Sequence, residues 1–207
     1  MFVVFEGGEG AGKSTVLDVV AAAFKREGSN VVLTREPGGT PAGERVRSLL
    51  HEPLTPWAET FAFLAARAQL VETVIRPTLA DGALVLCDRF EASTFAYQGY
   101  GRRLDMASLR TVNAIATGGL GPDLVVWLDI EPAAGLARKH GESEAIVTGR
   151  EDLAFHERVR SGYLAQFEAA VPGSWVRLDA TRPLNDVAQA VMTAIRNAPR
   201  YTYTNKR

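Results

Sequence analysis

The sequence predicts a three-layer α/β fold, in which a five-stranded parallel sheet is flanked by helices on both faces. Two observations predict it. Short apolar runs rich in β-branched residues recur five times, at 2–5, 31–33, 83–86, 124–128 and 175–178. Longer stretches with helical spacing separate them, for example 14–27 and 59–79. Continuous apolar strands that alternate with helices are typical of a parallel sheet buried on both faces.

The end of each apolar run supports the same fold. Polar residues follow every run: the glycines from Gly7, then Arg35, Asp88, Asp129 and Asp179. Ligands of parallel α/β proteins bind beyond the carboxyl ends of the strands. We therefore expect these residues to meet at one edge of the sheet and to form the functional site.

Composition limits the class of protein. The 207 residues carry a net charge of −1, which argues against non-specific nucleic-acid binding, and their number suits one domain over 1–207. A single cysteine, Cys87, excludes an intrachain disulfide framework and a cysteine-rich zinc site, and we expect it to be a buried strand residue. No apolar run approaches the ~18 residues of a membrane span. The start lacks the pattern of a signal peptide, so we expect a cytoplasmic protein without a membrane partner.

The segment after the first apolar run matches G-x-x-x-x-G-K-[ST] and predicts a P-loop. Its members are Gly7, Gly8, Glu9, Gly10, Ala11, Gly12, Lys13 and Ser14. Glycines allow consecutive backbone N–H groups to converge on an anion, and the following helix presents its positive end to that anion. Lys13 is expected to reach the β- and γ-phosphates of a nucleoside triphosphate, and the Ser14 hydroxyl to join a Mg²⁺ shell. The fold is then of the P-loop NTPase type.

A P-loop alone leaves switch GTPases, ATP-driven motors and small-molecule kinases open. The guanine-specific NKxD motif of GTPases is absent, because Asn205-Lys206 has no acid two places on. A second nucleotide motif, which would favour a motor, is also absent. Three further motifs favour an enzyme that holds a second anionic substrate. They are the stretch that begins Arg35-Glu36-Pro37, the helical pair Phe63 and Arg67, and Asp88-Arg89 with Ser93, Thr94, Tyr97 and Gln98. A slowly hydrolysing switch and a kinase of another small phosphate acceptor remain alternatives.

The combination of FEGGEGAGKST, TREPGGT, FLAARAQ, DRFEASTFAYQG and a late DAT resembles the thymidylate kinase family from residue 2 to about 195. The resemblance implies transfer of the γ-phosphoryl group of ATP to dTMP, giving dTDP and ADP for dTTP synthesis, with Mg²⁺. It also implies a homodimer, for which the broad apolar faces of 59–79 and 106–117 are candidates, although a core-facing stripe would look the same.

The resemblance also implies roles for single residues. Residues 7–14 with Thr15 would bind the ATP phosphates, and the loop with Asp179 and Ala180 would contact adenine. Arg35 and Arg89 would hold the dTMP phosphate, while Asp88 would organise Mg²⁺ with Ser14. Phe63 would stack on thymine, and Tyr97 would lie near C2′ of the sugar. The edge of the base would be bound by Arg67, Gln98 and Thr94, with Ser93 nearby.

The lid, at about 138–151, departs from the family pattern. Family members without an arginine in the P-loop usually supply several in the lid. Here Gly10 stands at the P-loop position where an arginine would be, yet 140–149 contains no arginine. We therefore expect Arg150 to be the transition-state arginine and Arg138 to lie near ATP. The tail at about 200–207 is polar and expected to be flexible.

Glu9 places a carboxylate inside the phosphate cradle. A carboxylate ~5 Å from a phosphate charge would cost about 3 kcal/mol at an effective dielectric of ~20. Glu9 is therefore expected to point away from ATP and towards the acceptor, where the resemblance implies a contact with the deoxyribose 3′-OH.

Overall fold

The computed structural model describes residues 1–139 and 151–198. Its five strands form one sheet in the order β2-β3-β1-β4-β5, and each neighbouring pair runs parallel. The strands are β1 (Phe2–Glu6), β2 (Val31–Arg35), β3 (Leu84–Asp88), β4 (Leu124–Asp129) and β5 (Trp175–Asp179). The predicted five-stranded parallel sheet is confirmed. The division of the chain into one domain, a lid and a tail stays a prediction, because residues 140–150 and 199–207 lie outside the described part.

Helices cover the sheet on both faces. They are α1 (Lys13–Arg26), α2 (Pro41–Leu49), α3 (Pro56–Leu70), α4 (Arg76–Ala80), α5 (Glu91–Thr94), α6 (Met106–Thr117), α7 (Pro132–Lys139), α8 (Leu153–Glu168) and α9 (Leu184–Asn197). π-helical turns extend two of them, with Val71–Ile75 joining α3 to α4 and Phe95–Gly101 following α5. Such turns often mark functional sites, and the second one carries two of the predicted site residues.

The central strands explain why the sheet is covered on both sides. Every residue of β1 and β4 is buried, whereas β2 and β5 at the edges are partly exposed. Side chains of β1 alternate, so Val3 and Phe5 pack with α1 and α9 while Phe2 and Val4 pack against the turn that joins α3 to α4. Cys87 is fully buried in β3, as predicted.

The strands extend slightly farther than the apolar runs suggested. Arg35, Asp88, Asp129 and Asp179 are the last residues of their strands rather than the first residues of the following loops. The backbone ladder continues because neighbouring strands are still in register at these positions, where Arg35 pairs with Asp88 and Asp129 with Asp179. The charged side chains are thereby held on the sheet itself, at the edge predicted to carry the site. Within the described residues, no helix is long and apolar enough to span a membrane.

Candidate active site

A cavity of about 240 Å³ opens at the carboxyl ends of β1, β2 and β3. It joins the end of the P-loop to the residues predicted to bind a second substrate. Its lining residues are Glu9, Lys13, Ser14, Arg35, Glu36, Pro37, Arg47, Phe63, Arg67, Asp88, Arg89, Ser93, Thr94, Tyr97, Gln98 and Lys139.

The P-loop holds Lys13 in a buried position. Its ammonium group donates to the carbonyl oxygens of Gly7 at 3.2 Å and Gly8 at 3.0 Å, which curls the loop around it. Burial, together with the like charge of Arg89, lowers the pKa of Lys13 to about 8. An incoming phosphate would reverse this effect, because a neighbouring anion favours the charged ammonium.

Two glycines allow the loop to approach its neighbours backbone to backbone. A Cβ on Gly7, at φ +147°, would lie 2.4 Å from the carbonyl oxygen of Leu128. A Cβ on Gly10, at φ +67°, would lie 2.0 Å from the carbonyl oxygen of Gly135 in α7. The P-loop is therefore wedged between β4 and α7, and only glycine fits at these two positions.

Ser14 and Asp88 bring hard oxygen ligands together beside the P-loop. The Ser14 hydroxyl donates to Asp88 Oδ2 at 2.7 Å, and Asp88 Oδ1 is buried without a hydrogen-bond partner among the described residues. An unpaired buried carboxylate oxygen is costly and calls for a ligand, an ion or water. No cluster of three or more potential metal ligands occurs in the described ranges, but Mg²⁺ typically needs only one or two carboxylates when phosphates and water complete its shell.

Arg89 and Glu9 form the charged centre of the cavity. Arg89 Nη2 donates to Glu9 Oε1 at 3.2 Å and to the Tyr97 hydroxyl at 3.3 Å, while Nη1 donates to Gly7 and Ser93. The backbone of Arg89 has φ +70°, a conformation that is uncommon for a residue with a side chain and is frequent at functional sites. Arg89 is thus fixed at its backbone and its guanidinium.

The last residue of α7 completes the ring of cations around Glu9. Lys139 donates to Glu9 Oε2 at 2.6 Å, and Tyr97 donates to Oε1 at 3.2 Å. Burial raises the pKa of Glu9, but the charges of Arg89, Lys13 and Lys139 outweigh burial and lower it to about 2. Glu9 is therefore a carboxylate over the whole physiological range, and its two oxygens accept hydrogen bonds from cavity residues.

The opposite part of the cavity is lined by helix α3. Phe63 and Arg67 lie one turn apart, and both line the cavity as their spacing suggested. Arg67 is almost fully buried and donates to Glu36, to Asn113 Oδ1 at 2.7 Å and to the Phe90 carbonyl. Four of its five N–H groups therefore have acceptors, which hold the guanidinium in place beside the cavity.

Arg138 and the loop after β5 meet on the other side of the P-loop. Arg138 Nη1 donates to the carbonyl oxygen of Ala180 at 2.9 Å, and the Thr181 hydroxyl and N–H both donate to Asp179. The structure thus brings together the residues that were predicted to lie near ATP and adenine.

Three comparisons with known proteins bear on this arrangement. The family model described as thymidylate kinase matches residues 5–191. The chain belongs to the thymidylate kinase family.

Individual relatives agree with the family model. A thymidylate kinase of Thermosynechococcus vestitus is 46% identical, with 94% of this chain and 86% of the relative covered. One of Desulfovibrio desulfuricans is 49% identical, with 94% of each covered. The crystal structure of thymidylate kinase from Ehrlichia chaffeensis superposes with a TM-score of 0.80 at 31% identity, over 95% of this chain and 98% of that one. The resemblance inferred from the motifs and the P-loop NTPase-type fold are therefore confirmed. Members of this family are nucleoside monophosphate kinases that use ATP to phosphorylate dTMP to dTDP.

Most predicted site residues converge, and a few lie apart. The residues predicted for the acceptor all line the cavity. The P-loop glycines, Ala11, Thr15, Arg138, Asp179 and Ala180 lie outside its lining, in keeping with a role towards the other substrate. Arg150, the predicted transition-state arginine, lies outside the described residues. The individual roles assigned to these side chains stay predictions.

Several site residues escaped the sequence reasoning. Glu6 is fully buried and accepts hydrogen bonds from the Ser93 hydroxyl, the Phe90 N–H and the Tyr163 hydroxyl. Its position at the end of an apolar strand was the available signal. Glu36 belongs to the motif that begins at Arg35, but no role was predicted for it. Arg47, Glu59 and Lys139 also lie in or beside the site, but they are charged residues on helices, where solvated charges are common and no pattern singles them out.

Proposed function

We propose that this chain transfers the γ-phosphoryl group of ATP to dTMP, with ATP bound by the P-loop and dTMP in the cavity. One observation carries the proposal: Lys13 and Ser14 of the P-loop open into the same cavity as the aromatic ring of Phe63 and the amide of Gln98. Two anions brought together in this way need cations between them, and Arg89 and Lys13 supply such charges.

The chemistry asks the protein for position and charge. An oxygen of the dTMP phosphate attacks the γ-phosphorus, the bond to the bridging oxygen of ADP breaks, and ADP leaves. No nucleophilic side chain is required, since positioning and charge neutralisation dominate phosphoryl transfer. Arg35 and Arg89 hold the acceptor phosphate, and Lys13 reaches the β- and γ-phosphates.

Glu9 and Tyr97 have roles on the acceptor side. Glu9 is paired with Arg89 and Lys139, and its carboxylate is assigned to the acceptor side, where it would accept a further hydrogen bond from the neutral 3′-hydroxyl of the deoxyribose. Tyr97 is held by its hydrogen bonds to Arg89 and Glu9. The family resemblance assigns its ring a place near C2′ of the sugar, where it would exclude a ribose 2′-hydroxyl.

The residues present fit a magnesium ion. Ser14 and Asp88 would hold it, and the buried Asp88 Oδ1 without a partner supports this assignment. The ion would neutralise charge on the β- and γ-phosphates. Both ligands are hard oxygens, which Mg²⁺ prefers.

The assay that tests the proposal is ADP release from ATP and Mg²⁺ with a panel of nucleoside monophosphates. We expect dTMP to accelerate release most strongly. If no monophosphate, dTMP included, makes release faster than in its absence, a kinase function at this cavity is rejected. Fastest release with a different monophosphate would leave the kinase reaction intact and move the assignment to that acceptor.

Arg150 is proposed as the transition-state cation on the basis of the sequence. Arginines that neutralise the moving phosphoryl group contribute about 10³-fold or more to turnover. Arg150→Ala is therefore expected to lose most of the kcat while KM for dTMP changes little, measured by steady-state kinetics. A loss below about fivefold would assign the role to another residue.

A homodimer and a cytoplasmic location are also proposed from the family resemblance. The exposed side chains of Phe61 on α3 and Ile115 on α6 support the homodimer, because these neighbouring helices present large apolar groups to solvent.

A further inference from the structure

The amide of Gln98 is held in one orientation by a buried acid behind the cavity. Its Nε2 donates to Glu59 Oε1 at 2.7 Å, and the Gln98 and Glu59 residues are only 2% and 3% exposed. Among the described residues, no group donates to Gln98 Oε1, and the side chain lines the cavity. The amide carbonyl oxygen is therefore without a donor among these residues, and a ligand can supply one.

Arg102 makes Glu59 a reliable acceptor. Arg102 Nη2 donates to Glu59 Oε2 at 2.9 Å, and Nη1 donates to Glu151 at 2.5 Å. A carboxylate paired in this way can only accept hydrogen bonds. If the Gln98 amide were flipped, its carbonyl oxygen would face the Glu59 carboxylate oxygen at the present 2.7 Å. The Gln98 N–H group would at the same time lose Glu59 as its acceptor.

Helix α3 aligns this acid with the base-binding residues. Glu59, Phe63 and Arg67 follow one another at intervals of one turn, so the same helix face carries the acid, the aromatic ring and the guanidinium. Glu59 does not line the cavity itself and touches it only through Gln98.

The orientation of an amide distinguishes pyrimidines by their hydrogen-bonding edge. Thymine and uracil carry a hydrogen on N3, which can donate to a carbonyl oxygen. Cytosine has an unprotonated N3, which would face that oxygen lone pair to lone pair, and it would match only the flipped amide. Sites with fixed polar groups reject a mismatched edge strongly because the buried groups then remain unpaired.

We propose that Glu59 is a positioning residue that fixes the Gln98 amide with its carbonyl towards the base and so selects monophosphates whose pyrimidine carries a hydrogen on N3. The inference rests on the proposed function, because it takes the cavity as the acceptor site. Deoxyuridine monophosphate shares this edge with dTMP, whereas dCMP does not.

The test compares Glu59→Gln with the wild type on dTMP, dUMP and dCMP. A glutamine at this position offers either a carbonyl or an amide hydrogen, so both orientations of Gln98 become possible. We expect the ratio of kcat/KM for dTMP over dCMP to fall by about tenfold or more, the effect of one hydrogen bond of ordinary strength. The ratio for dTMP over dUMP should stay within about twofold, since both bases present the same edge.

A matched control is Glu151→Gln, which removes the other acid of Arg102 without touching Gln98. It should leave both ratios within about twofold of the wild type. An equal fall in the dTMP over dCMP ratio in both variants would contradict a specific role for Glu59. So would an unchanged ratio in Glu59→Gln, or a parallel fall in both ratios of that variant.

A second variant covers the case in which Glu59→Gln does not fold, as judged by its thermal transition. The exchanged pair Glu59→Gln with Gln98→Glu conserves charge and volume and again turns an acceptor oxygen towards the base. It should keep the preference for dTMP over dCMP, and loss of that preference would overturn the inference. Failure of the proposed function looks different, because the wild type would then show no acceleration by dTMP at all.

Discussion

Glu9 shows how a single acid can lie inside a phosphate site. Three cations surround it, with Arg89 and Lys139 in direct contact and Lys13 nearby. These charges more than offset the burial that opposes ionisation, and they lower its pKa to about 2. Its negative charge in turn holds Arg89 and Lys139 in place, so removal of the carboxylate should release two cations at once.

Replacement of this carboxylate tests which substrate it serves. Glu9→Gln keeps the shape but removes the charge that holds Arg89 and Lys139. We expect the Kd for dTMP to rise by about tenfold or more, consistent with one or two lost charge-assisted hydrogen bonds, while the Kd for ATP changes less. Calorimetric titration with each nucleotide measures both, and a larger loss of ATP affinity would reject an acceptor-side role.

The low pKa of Glu9 also fixes the sign of its pH effect. The folded-state pKa lies below the usual value of 4.5, so the stability from its ion pairs is complete above about pH 4.5 and is lost as pH falls towards 2. The melting temperature of the wild type should therefore approach that of Glu9→Gln as pH falls from about 4.5 towards 2. A difference between the two proteins that stays constant over this range, followed by thermal melts in a pH series, would contradict the low pKa of Glu9.

Lys13 is expected to make ATP binding sensitive to alkaline pH. The protonated ammonium binds phosphate, and its pKa in the free protein is lowered to about 8. Below this pH the titration of Lys13 should leave the ATP affinity unchanged. Above it the affinity should fall by up to about tenfold per pH unit as Lys13 loses its proton. Phosphate monoesters complete their second ionisation well below pH 8, so the ligand does not add to the effect.

The control for this titration is Lys13→Met. Its ATP affinity should be weak at all pH values and should lack the alkaline fall. An identical pH dependence in both proteins, measured by calorimetry between pH 7 and 9.5, would assign the titration to another group.

At the scale of elements, the P-loop and α7 are joined by close backbone contact. Gly10 approaches the carbonyl of Gly135, and a Cβ on Gly135 would in turn lie 2.2 Å from the carbonyl of Glu9. This contact explains in physical terms why a side chain as large as arginine has no room at position 10 while α7 keeps its place. It also connects the P-loop to the helix that carries Arg138 and Lys139 towards the predicted lid.

Gly10→Ala tests this junction. The added Cβ would overlap the Gly135 carbonyl and would also require a left-handed backbone at φ +67°. We expect a loss of about 2–4 kcal/mol of unfolding free energy, as for other overpacked or strained sites. For a chain of this size this loss lowers the Tm by about 5–15 °C in differential scanning calorimetry. Gly121→Ala is the matched control, because its Cβ would meet only Glu91 at 3.9 Å. Equal melting temperatures for the two variants would contradict the junction.

At the scale of the whole molecule, the outer surface of α3 and α6 carries the proposed dimer interface. Ile115 is 76% exposed, and Phe61 is 54% exposed while stacked on Trp57. Large apolar side chains on two neighbouring helices favour association with a second copy through a two-fold axis.

Ile115→Glu should weaken this association. A charge at the centre of an apolar interface is desolvated without a partner, which raises the dissociation constant by about tenfold or more. Sedimentation velocity over a range of concentrations measures it. Leu184→Glu on α9, which packs with α1 on the other face of the sheet, should behave like the wild type. A wild type that remains monomeric at all concentrations would exclude the dimer.

Much of the architecture followed from local patterns. The five apolar runs became the five strands, and the stretch 106–117 became α6 with the same bounds. The ends of the strands were less certain, since Asp88 and Asp129 look like loop residues but stay in the ladder with their neighbours. The predicted helix over 59–79 begins earlier, at Pro56, and contains a π-helical turn that no sequence signal announces.

The histidines show a limit of the same reasoning. Scattered histidines without metal-ligand spacing are expected to be solvated or partly buried, and His51 is exposed. His156 is instead buried next to Phe155, with Nε2 unpaired among the described residues. Burial of a single polar residue depends on what packs over it. His156 lies on α8, and the residues beside it on α7 and in the P-loop come from other parts of the sequence.

The sequence by itself determined the fold class, the P-loop with Lys13 and Ser14, and the family, because these depend on local spacing and on short contiguous motifs. Only the tertiary structure decided which partners each charged residue meets. Arg67 lies against Glu36 and Asn113, Glu9 against Arg89 and Lys139, and Gln98 against Glu59. These pairs join elements that are 31, 46, 80, 130 and 39 positions apart. Their energies depend on distance and burial in three dimensions, which a linear pattern does not contain.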